Sequence, residues 1–376
     1  MSITVTCSCG ARFDVPESYA GRKGKCTTCG APMQVPSPSG SAPPPTTAPK
    51  SLGEYTLGAR LGGPESTVYL ATSPSRGQVA LKVLPKEVVE ASPEAGQRFL
   101  RGARAMFGID HPNLVRYLDA GEELGTFYLV MDCVRARTLR EVLDARGGRL
   151  GEPEVLAYGI GVARALACLE DRGLVHRNVQ PAHVLVGEGG LVKLCGMGLL
   201  RAQDTAQDVQ VTAMGVAIGT PEYMSPEQAL ATGELDARSD LFSLGLTLYE
   251  MLTGAPPFAD KVPSRVVARL AREEAPPVQE RNPAVSQALA AVLSKLLRRE
   301  PAERYPSAHD LVTDLESIRG GNLTKGLPPT LAGKATSTRP PAQDTDPRVR
   351  TLTYAVAGLA ALVLLLLVVV IALALR

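Results

Sequence analysis

At 376 residues, with 45% hydrophobic and 21% charged side chains, the chain is long enough for two or three structural units and one large buried core. A formal net charge of +2 is too small to steer it toward a polyanion, and no dense Lys/Arg block interleaves with aromatics, so nucleic acid is not an expected partner. Seven cysteines divide into a tight set (Cys7, Cys9, Cys26, Cys29) and three isolated ones in apolar segments (Cys133, Cys168, Cys195), the pattern of a metal site plus buried thiols in a reducing compartment.

The opening stretch MSITVTCSCGARFDV has neither the basic leader nor the apolar core of a signal peptide. Residues 1–35 are expected to form a small metal-stapled unit. Cys7-Ser8-Cys9-Gly10 and Cys26-Thr27-Thr28-Cys29-Gly30 make two knuckles separated by 16 residues, with the intervening ARFDVPESYAGRKGKC expected to serve as a hairpin. Glycine after each pair lets backbone N–H groups approach the thiolates, and four thiolates give a closed, structural, tetrahedral zinc site. A unit this short buries too little surface to fold without such a staple. It resembles the short zinc ribbons found at the start of many bacterial proteins. Arg22, Lys23 and Lys25 read as a solvated turn.

Residues 36–52 and 320–350 are rich in Pro, Ser, Thr and Gly and read as semi-extended linkers. Between them, residues 53–319 begin with short β-rich runs: YTLGARL, TVYLATS, QVALKVL, LVRYLDAGEEL and TFYLVMDCV. One helical pattern interrupts them near residues 93–108, with Phe99, Leu100 and Ala103 at helical spacing. From Thr138 onward helices dominate, in ARTLREVLDAR, EPEVLAYGIGVARALACLEDRG, SDLFSLGLTLYEMLTG and VSQALAAVLSKLLRR, all with apolar residues at i, i+3, i+4. The expected fold class is α+β, a small sheet lobe followed by a larger helical lobe.

Residues 352–375 carry 24 positions without a charge, enough for a helix of about 36 Å that crosses a bilayer with some tilt. Arg348 and Arg350 precede the stretch and only Arg376 follows, so residues 1–350 are expected in the cytoplasm. The expectation is a single-pass, C-terminal anchor over residues 351–376 in the cell membrane.

The segment His176-Arg177-Asn178-Val179-Gln180-Pro181-Ala182-His183 resembles a protein-kinase catalytic loop, His-Arg-Asp-x-Lys-Pro-x-Asn. With VALKVL, DHPNLVRYLDAGEE, GTPEYMSPEQ and EPAERYPSAHDL, residues 55–319 are similar to bacterial serine/threonine protein kinases of the eukaryotic-like type. The resemblance implies a bilobal kinase fold and puts Lys82 where the family's phosphate-binding lysine sits. It places Gly62, Gly63 and Val68 in the loop over the phosphates, Ala80 and Met131 in the adenine pocket with Met131 as gatekeeper, Asp240 at the start of a buried helix, and Arg304 beside Glu227. The chemical positions depart from the pattern. Asn178 replaces the base, Gln180 the loop lysine, His183 one magnesium ligand, Gly196 the other, and Gly102 the glutamate that should pair with Lys82. The phosphate loop LGGPESTVYL is one residue short, and Pro64 removes an N–H.

Phosphoryl transfer needs positioned phosphates, magnesium and a group to orient the hydroxyl. One lost preorganised contact costs about 3–4 kcal/mol, or 10²–10³ in rate, though losses within one unit do not add. Five altered positions therefore point to a pseudokinase in which the usual ligands no longer hold Mg2+. Such a protein acts as a scaffold or allosteric regulator for a partner kinase or other signalling protein. A weakly active ATP-dependent kinase and a nucleotide-binding sensor without phosphotransfer stay open as alternatives. Lys82 is either an ATP ligand or a relic whose stem covers the lobe interface. His176 and Arg177 are expected to serve loop packing, and Cys195 reads as a reactive thiol or a small buried hydrophobe. Thr205, Thr212 and Thr220 could receive phosphate from another kinase.

Overall fold

The computed structural model describes residues 2–7, 9–16, 23–26, 28–35, 51–61, 67–92, 94–197, 220–231 and 235–321. The chain divides into a unit Met1–Thr330 and a unit Leu331–Arg376, and all described residues belong to the first. The expected anchor at 351–376, most of both linkers, Gly62, Gly63, Pro64, Thr205 and Thr212 lie outside the described residues. Among the described residues no helix is long and apolar enough to cross a membrane.

The N-terminal segment folds as two hairpins. Strand β1 (Ser2–Thr6) pairs with β2 (Arg12–Pro16), and β3 (Lys23–Lys25) with β4 (Pro32–Gln34), both antiparallel. Each cysteine pair occupies the turn of one hairpin. The expectation of one hairpin between the knuckles is thus corrected: the knuckles are themselves the hairpin turns. The reason is local, because Gly10 (φ +88°) and Gly30 (φ +74°) supply the left-handed residue that closes each turn.

The sheet lobe is a six-stranded antiparallel sheet of β5 (Ser51–Leu52), β6 (Tyr55–Leu61), β7 (Val68–Ser73), β8 (Gly77–Val83), β9 (Tyr117–Glu123) and β10 (Thr126–Asp132), in the order β5-β6-β7-β8-β10-β9. Alternation along these strands sorts their side chains. Leu52, Tyr55, Ala71, Val79, Leu81, Tyr128 and Val130 form the core of one face. Between β8 and β9 stand two helices, α1 (Lys86–Ala91) and α2 (Ala95–Ala105). Only the second is foreseen by periodicity, since six residues are too few to display a helical period. Phe99, Leu100 and Ala103 are buried as their spacing predicts.

The helical lobe opens with a three-stranded sheet of β11 (Arg137–Thr138), β12 (Val184–Val186) and β13 (Val192–Leu194), and with α3 (Leu139–Ala145), whose Thr138/Glu141 capping box fixes its start. The long helices α4 (Glu152–Glu170) and α6 (Ala237–Thr253) pack together at the centre. Around them lie α5 (Pro226–Leu230), α7 (Pro263–Arg272), α8 (Val278–Arg281), α9 (Gln287–Leu296) and α10 (Ala308–Arg319). In α6 every residue from Ser239 to Thr253 is buried, so its apolar run reads as a helix surrounded on all sides.

Two buried ionic groups brace this lobe. The Arg304 guanidinium, with a side chain 0% exposed, donates to Glu227 Oε1 and Oε2 at 2.7 and 2.8 Å and to the carbonyls of Arg298, Arg238 and Arg299. The pair expected from the sequence is thus present, in the bidentate form that matches fork to carboxylate. Asp240 of α6 accepts the backbone N–H groups of His176 and Arg177, each at 2.6 Å.

Candidate functional site

The cleft between the lobes is built first from the sheet. Register sets Val68 and Leu129 abreast of Lys82, and Leu70 and Met131 abreast of Ala80. Residues two apart share a face, so Val68, Ala80, Lys82 and Met131, from the expected nucleotide-binding set, stand together opposite the face formed by Leu81 and Val130. Ala80 and Met131 are both buried. The expected pocket wall therefore exists as a surface, with Asp132, Cys133 and Val134 leading out of β10 into the connection between lobes.

Lys82 supplies the cation on that face. Burial holds its ammonium below the ordinary lysine range, with a small opposing pull from Cys195. Among the described residues no carboxylate pairs with it. The helix that should carry its partner is in place: α2 packs on β9 and β10, and Gly96 lets the Phe127 ring approach so closely that a Cβ there would meet the ring at 2.3 Å. At the expected partner position Gly102 presents no side chain. The scaffold is kept and the charge is missing.

The catalytic-loop segment is held from below by Asp240. Arg177 takes φ +64°, and the two backbone N–H groups donated to Asp240 fix the turn. His176 accepts from the Asn178 N–H at Nδ1 (3.3 Å), so its Nε2–H donates to the Cys195 carbonyl at 3.0 Å. Both His176 and Arg177 are buried and serve packing, as expected.

The exchanged side chains above this base hold one another. His183 Nδ1–H donates to the Asn178 carbonyl oxygen at 2.8 Å, Gln180 Nε2–H donates to Asn178 Oδ1 at 2.8 Å, and Asn178 Nδ2–H donates to the Gly196 carbonyl at 3.2 Å. Because a carbonyl only accepts, Nδ1 carries the proton and the free lone pair of the ring lies at Nε2. Gln180 Nε2 also approaches Nδ1 to 3.3 Å, a contact between two donors rather than a hydrogen bond. The ring of His183 lies against Gly196: a Cβ at 196 would stand 2.6 Å from Cδ2, 2.7 Å from Cγ and 3.0 Å from Nε2. The imidazole thus fills the space a side chain at 196 would enter.

The strand that delivers Gly196 is pinned on both sides. Leu194 N–H donates to the Asn113 carbonyl at 2.8 Å, Val115 N–H to the Leu194 carbonyl at 3.0 Å, and Cys195 N–H to the His183 carbonyl at 2.9 Å. Tyr117 is buried in the sheet lobe, and burial drives its phenol pKa upward. The Cys195 thiol is pushed up to about 11 by burial, with Lys82 pulling the other way. A thiol so protonated is no nucleophile, which weighs against the reactive reading, though the side chain is half-buried rather than fully buried. Cys168 is buried as expected, while Cys133 is only half-buried.

The second candidate site is the cysteine cluster. Cys7 and Cys29 Sγ lie 3.5 Å apart, Cys9 and Cys26 Sγ 3.7 Å, and all four sulfurs are within 4.8 Å of one another. Tetrahedral zinc with Zn–S near 2.3 Å requires S···S separations of about 3.8 Å, so the donor set suits that ion in number, type and spacing.

Comparison with known proteins places the whole. The protein kinase domain family model matches residues 55–314. A probable serine/threonine-protein kinase of Clostridium perfringens is 34% identical over 241 residues, 64% of this chain and 34% of that protein. Serine/threonine-protein kinase PknB of Mycobacterium leprae is 35% identical over 282 residues, 73% of this chain and 44% of that protein. The chain spans less than half the length of these curated relatives. The crystal structure of the Mycobacterium tuberculosis PknI kinase domain is similar with a TM-score of 0.57 and 28% identity, covering 71% of this chain and 97% of that one. Two lobes in the kinase order, the Glu227–Arg304 pair and a family match across most of the chain agree: this chain belongs to the protein kinase family, as a serine/threonine-protein kinase-like member.

Proposed function

We propose that this chain is a catalytically silent kinase, a pseudokinase held at the membrane by its C-terminal segment, which offers its kinase fold as a regulatory or docking surface to a partner kinase or other signalling protein. One observation carries the reading: the His183 ring rests on Gly196 while Asn178 and Gln180 are tied to that same group. A magnesium ion between two protein anchors and a triphosphate needs oxygen ligands at octahedral spacing. Here one anchor has no side chain, and the other has an imidazole, a poor ligand for a hard ion that takes oxygen. Asn178 can still orient a hydroxyl but cannot take its proton. The cysteine cluster serves as a structural zinc site, and the apolar run at 352–375 as the anchor.

The test is transfer of labelled phosphate from ATP to the full chain or to a generic protein substrate, in magnesium and in manganese. The expected result is incorporation no greater than that of Lys82→Ala. Incorporation that Lys82→Ala abolishes overturns the proposal in favour of a weak kinase. A second reading, a sensor that binds nucleotide without transferring phosphate, is favoured by the intact face of Val68, Ala80, Lys82 and Met131. A thermal-shift titration with ATP decides between sensor and pure scaffold: a saturable rise in Tm supports the sensor, and no shift with or without magnesium removes it.

A further inference from the structure

We propose that the shoulder of the helical lobe at residues 260–265 is the docking surface for the second cysteine knuckle, and that metal in the cysteine cluster keeps the two engaged; the proposal rests on the zinc reading above. The contact is read at Gly30. Its N–H donates to the Cys26 carbonyl at 2.7 Å, closing the knuckle, and its φ of +74° already favours glycine. A second constraint is independent of the turn: a Cβ at Gly30 would stand 2.7 Å from the carbonyl oxygen of Lys261, 3.2 Å from its carbonyl carbon and 3.3 Å from its Cβ. Gly10, the equivalent residue of the first knuckle, has nothing within 4 Å. One glycine therefore serves a turn, and the other a turn and a seat.

The seat is built on the other side. Asp260 Oδ1 accepts the Val262 N–H at 2.9 Å, an Asx turn that sets the backbone of Lys261 against the knuckle. Val262 is buried and precedes α7, whose Val266 and Leu270 are buried in turn, so the shoulder is anchored on the lobe's core. Beside the contact lies a cleft of about 570 Å³ lined by Thr28, Cys29, Asp260, Lys261, Val262 and Arg265. Cys29 is at once a wall of this cleft and a member of the cysteine cluster. The shape of the knuckle that docks is thus the shape that four sulfurs around one ion impose.

A contact this small would not hold two separate proteins. Here the ribbon is tethered to the lobe through a short linker, which keeps its effective concentration on the order of millimolar. Without metal, a segment of some 35 residues loses its fold and the seat with it. The docked ribbon covers the start of α7, so metal content decides whether that shoulder is presented to other proteins or occupied.

Hydrogen exchange on the full chain tests this, comparing protein carrying one zinc per chain with the same protein after chelation. Zinc is expected to slow exchange at residues 258–266 by roughly tenfold or more, with α6 unchanged, because docking closes a locally open segment. Asp260→Ala, which lies outside the cysteine cluster, should keep one zinc per chain yet lose the zinc-dependent protection. A chain that binds zinc and shows equal exchange at 258–266 with and without it overturns the docking. A chain that binds no zinc overturns the metal reading as well.

Discussion

The imidazole of His183 occupies the place a side chain at Gly196 would take, with 2.6 Å between Cδ2 and the position of a Cβ at 196. Two losses that look separate along the chain are one packing arrangement. Restoring an aspartate at 196 cannot succeed while the ring is there.

Gly196→Asp alone should therefore lower Tm, whereas His183→Asn with Gly196→Asp should recover the part owed to the ring and leave the strain of a side chain at φ +74°. Residues in contact couple by about 0.5–3 kcal/mol in a double-mutant cycle. A denaturant-based cycle measures it, and a coupling indistinguishable from zero would show that the ring moves aside without cost.

Lys82 offers a second prediction. Burial lowers the folded pKa of its ammonium below the ordinary 10.5, and no carboxylate among the described residues compensates. The unfolded chain therefore binds this proton more tightly than the folded one, so Lys82 costs stability at neutral pH, and the cost shrinks as pH rises through the folded pKa. Lys82→Met should be as stable as the parent or more so at pH 7, with the gap narrowing by about pH 10. Urea midpoints at both values check it, and a less stable Lys82→Met at pH 7 would mean that the ammonium has a partner.

The Arg304–Glu227 pair yields a third. Burial pushes the Glu227 carboxyl up, but the Arg304 guanidinium more than offsets this and holds it below the ordinary 4.5. The stabilisation is present above that value and lost as pH falls through the folded pKa. Arg304→Met should cost about 3–5 kcal/mol, the usual result of removing one partner of a buried pair. The difference in unfolding free energy from the parent should shrink below pH 4.5 in equilibrium denaturation.

The fourth concerns metal. Purified chain should contain one zinc, and chelation should unfold the cysteine unit while leaving the kinase-like transition in place, because the cysteine unit is built of its own two hairpins. Elemental analysis and a calorimetric scan before and after chelation decide it. A single transition that collapses on chelation would contradict the division.

Much of the fold is legible in the amino-acid order. Periodicity announces α2, α4 and α6, and the resemblance to the kinase family announces Lys82 on β8, Glu227 with Arg304, and Asp240 at the start of a buried helix. What stays hidden there depends on distance in three dimensions. Helix α1 is too short to show a period. The cysteine knuckles look like the two ends of a hairpin when each is a hairpin turn, because spacing between cysteines does not say which flanking segments pair. Above all, Asn178, Gln180, His183 and Gly196 look like four independent losses. Their hydrogen bonds and the ring-to-glycine contact emerge only when β12 and β13 bring His183 and Gly196 together.

Calorimetric titration of the full chain with ATP, in the presence and absence of Mg2+, tests the closed magnesium position most directly. The prediction is that magnesium leaves the affinity unchanged, or that no binding is seen in either condition. A tightening by magnesium of about tenfold or more, equivalent to about 1.4 kcal/mol, would contradict it, because the metal would then have found the anchors that His183 and Gly196 no longer provide.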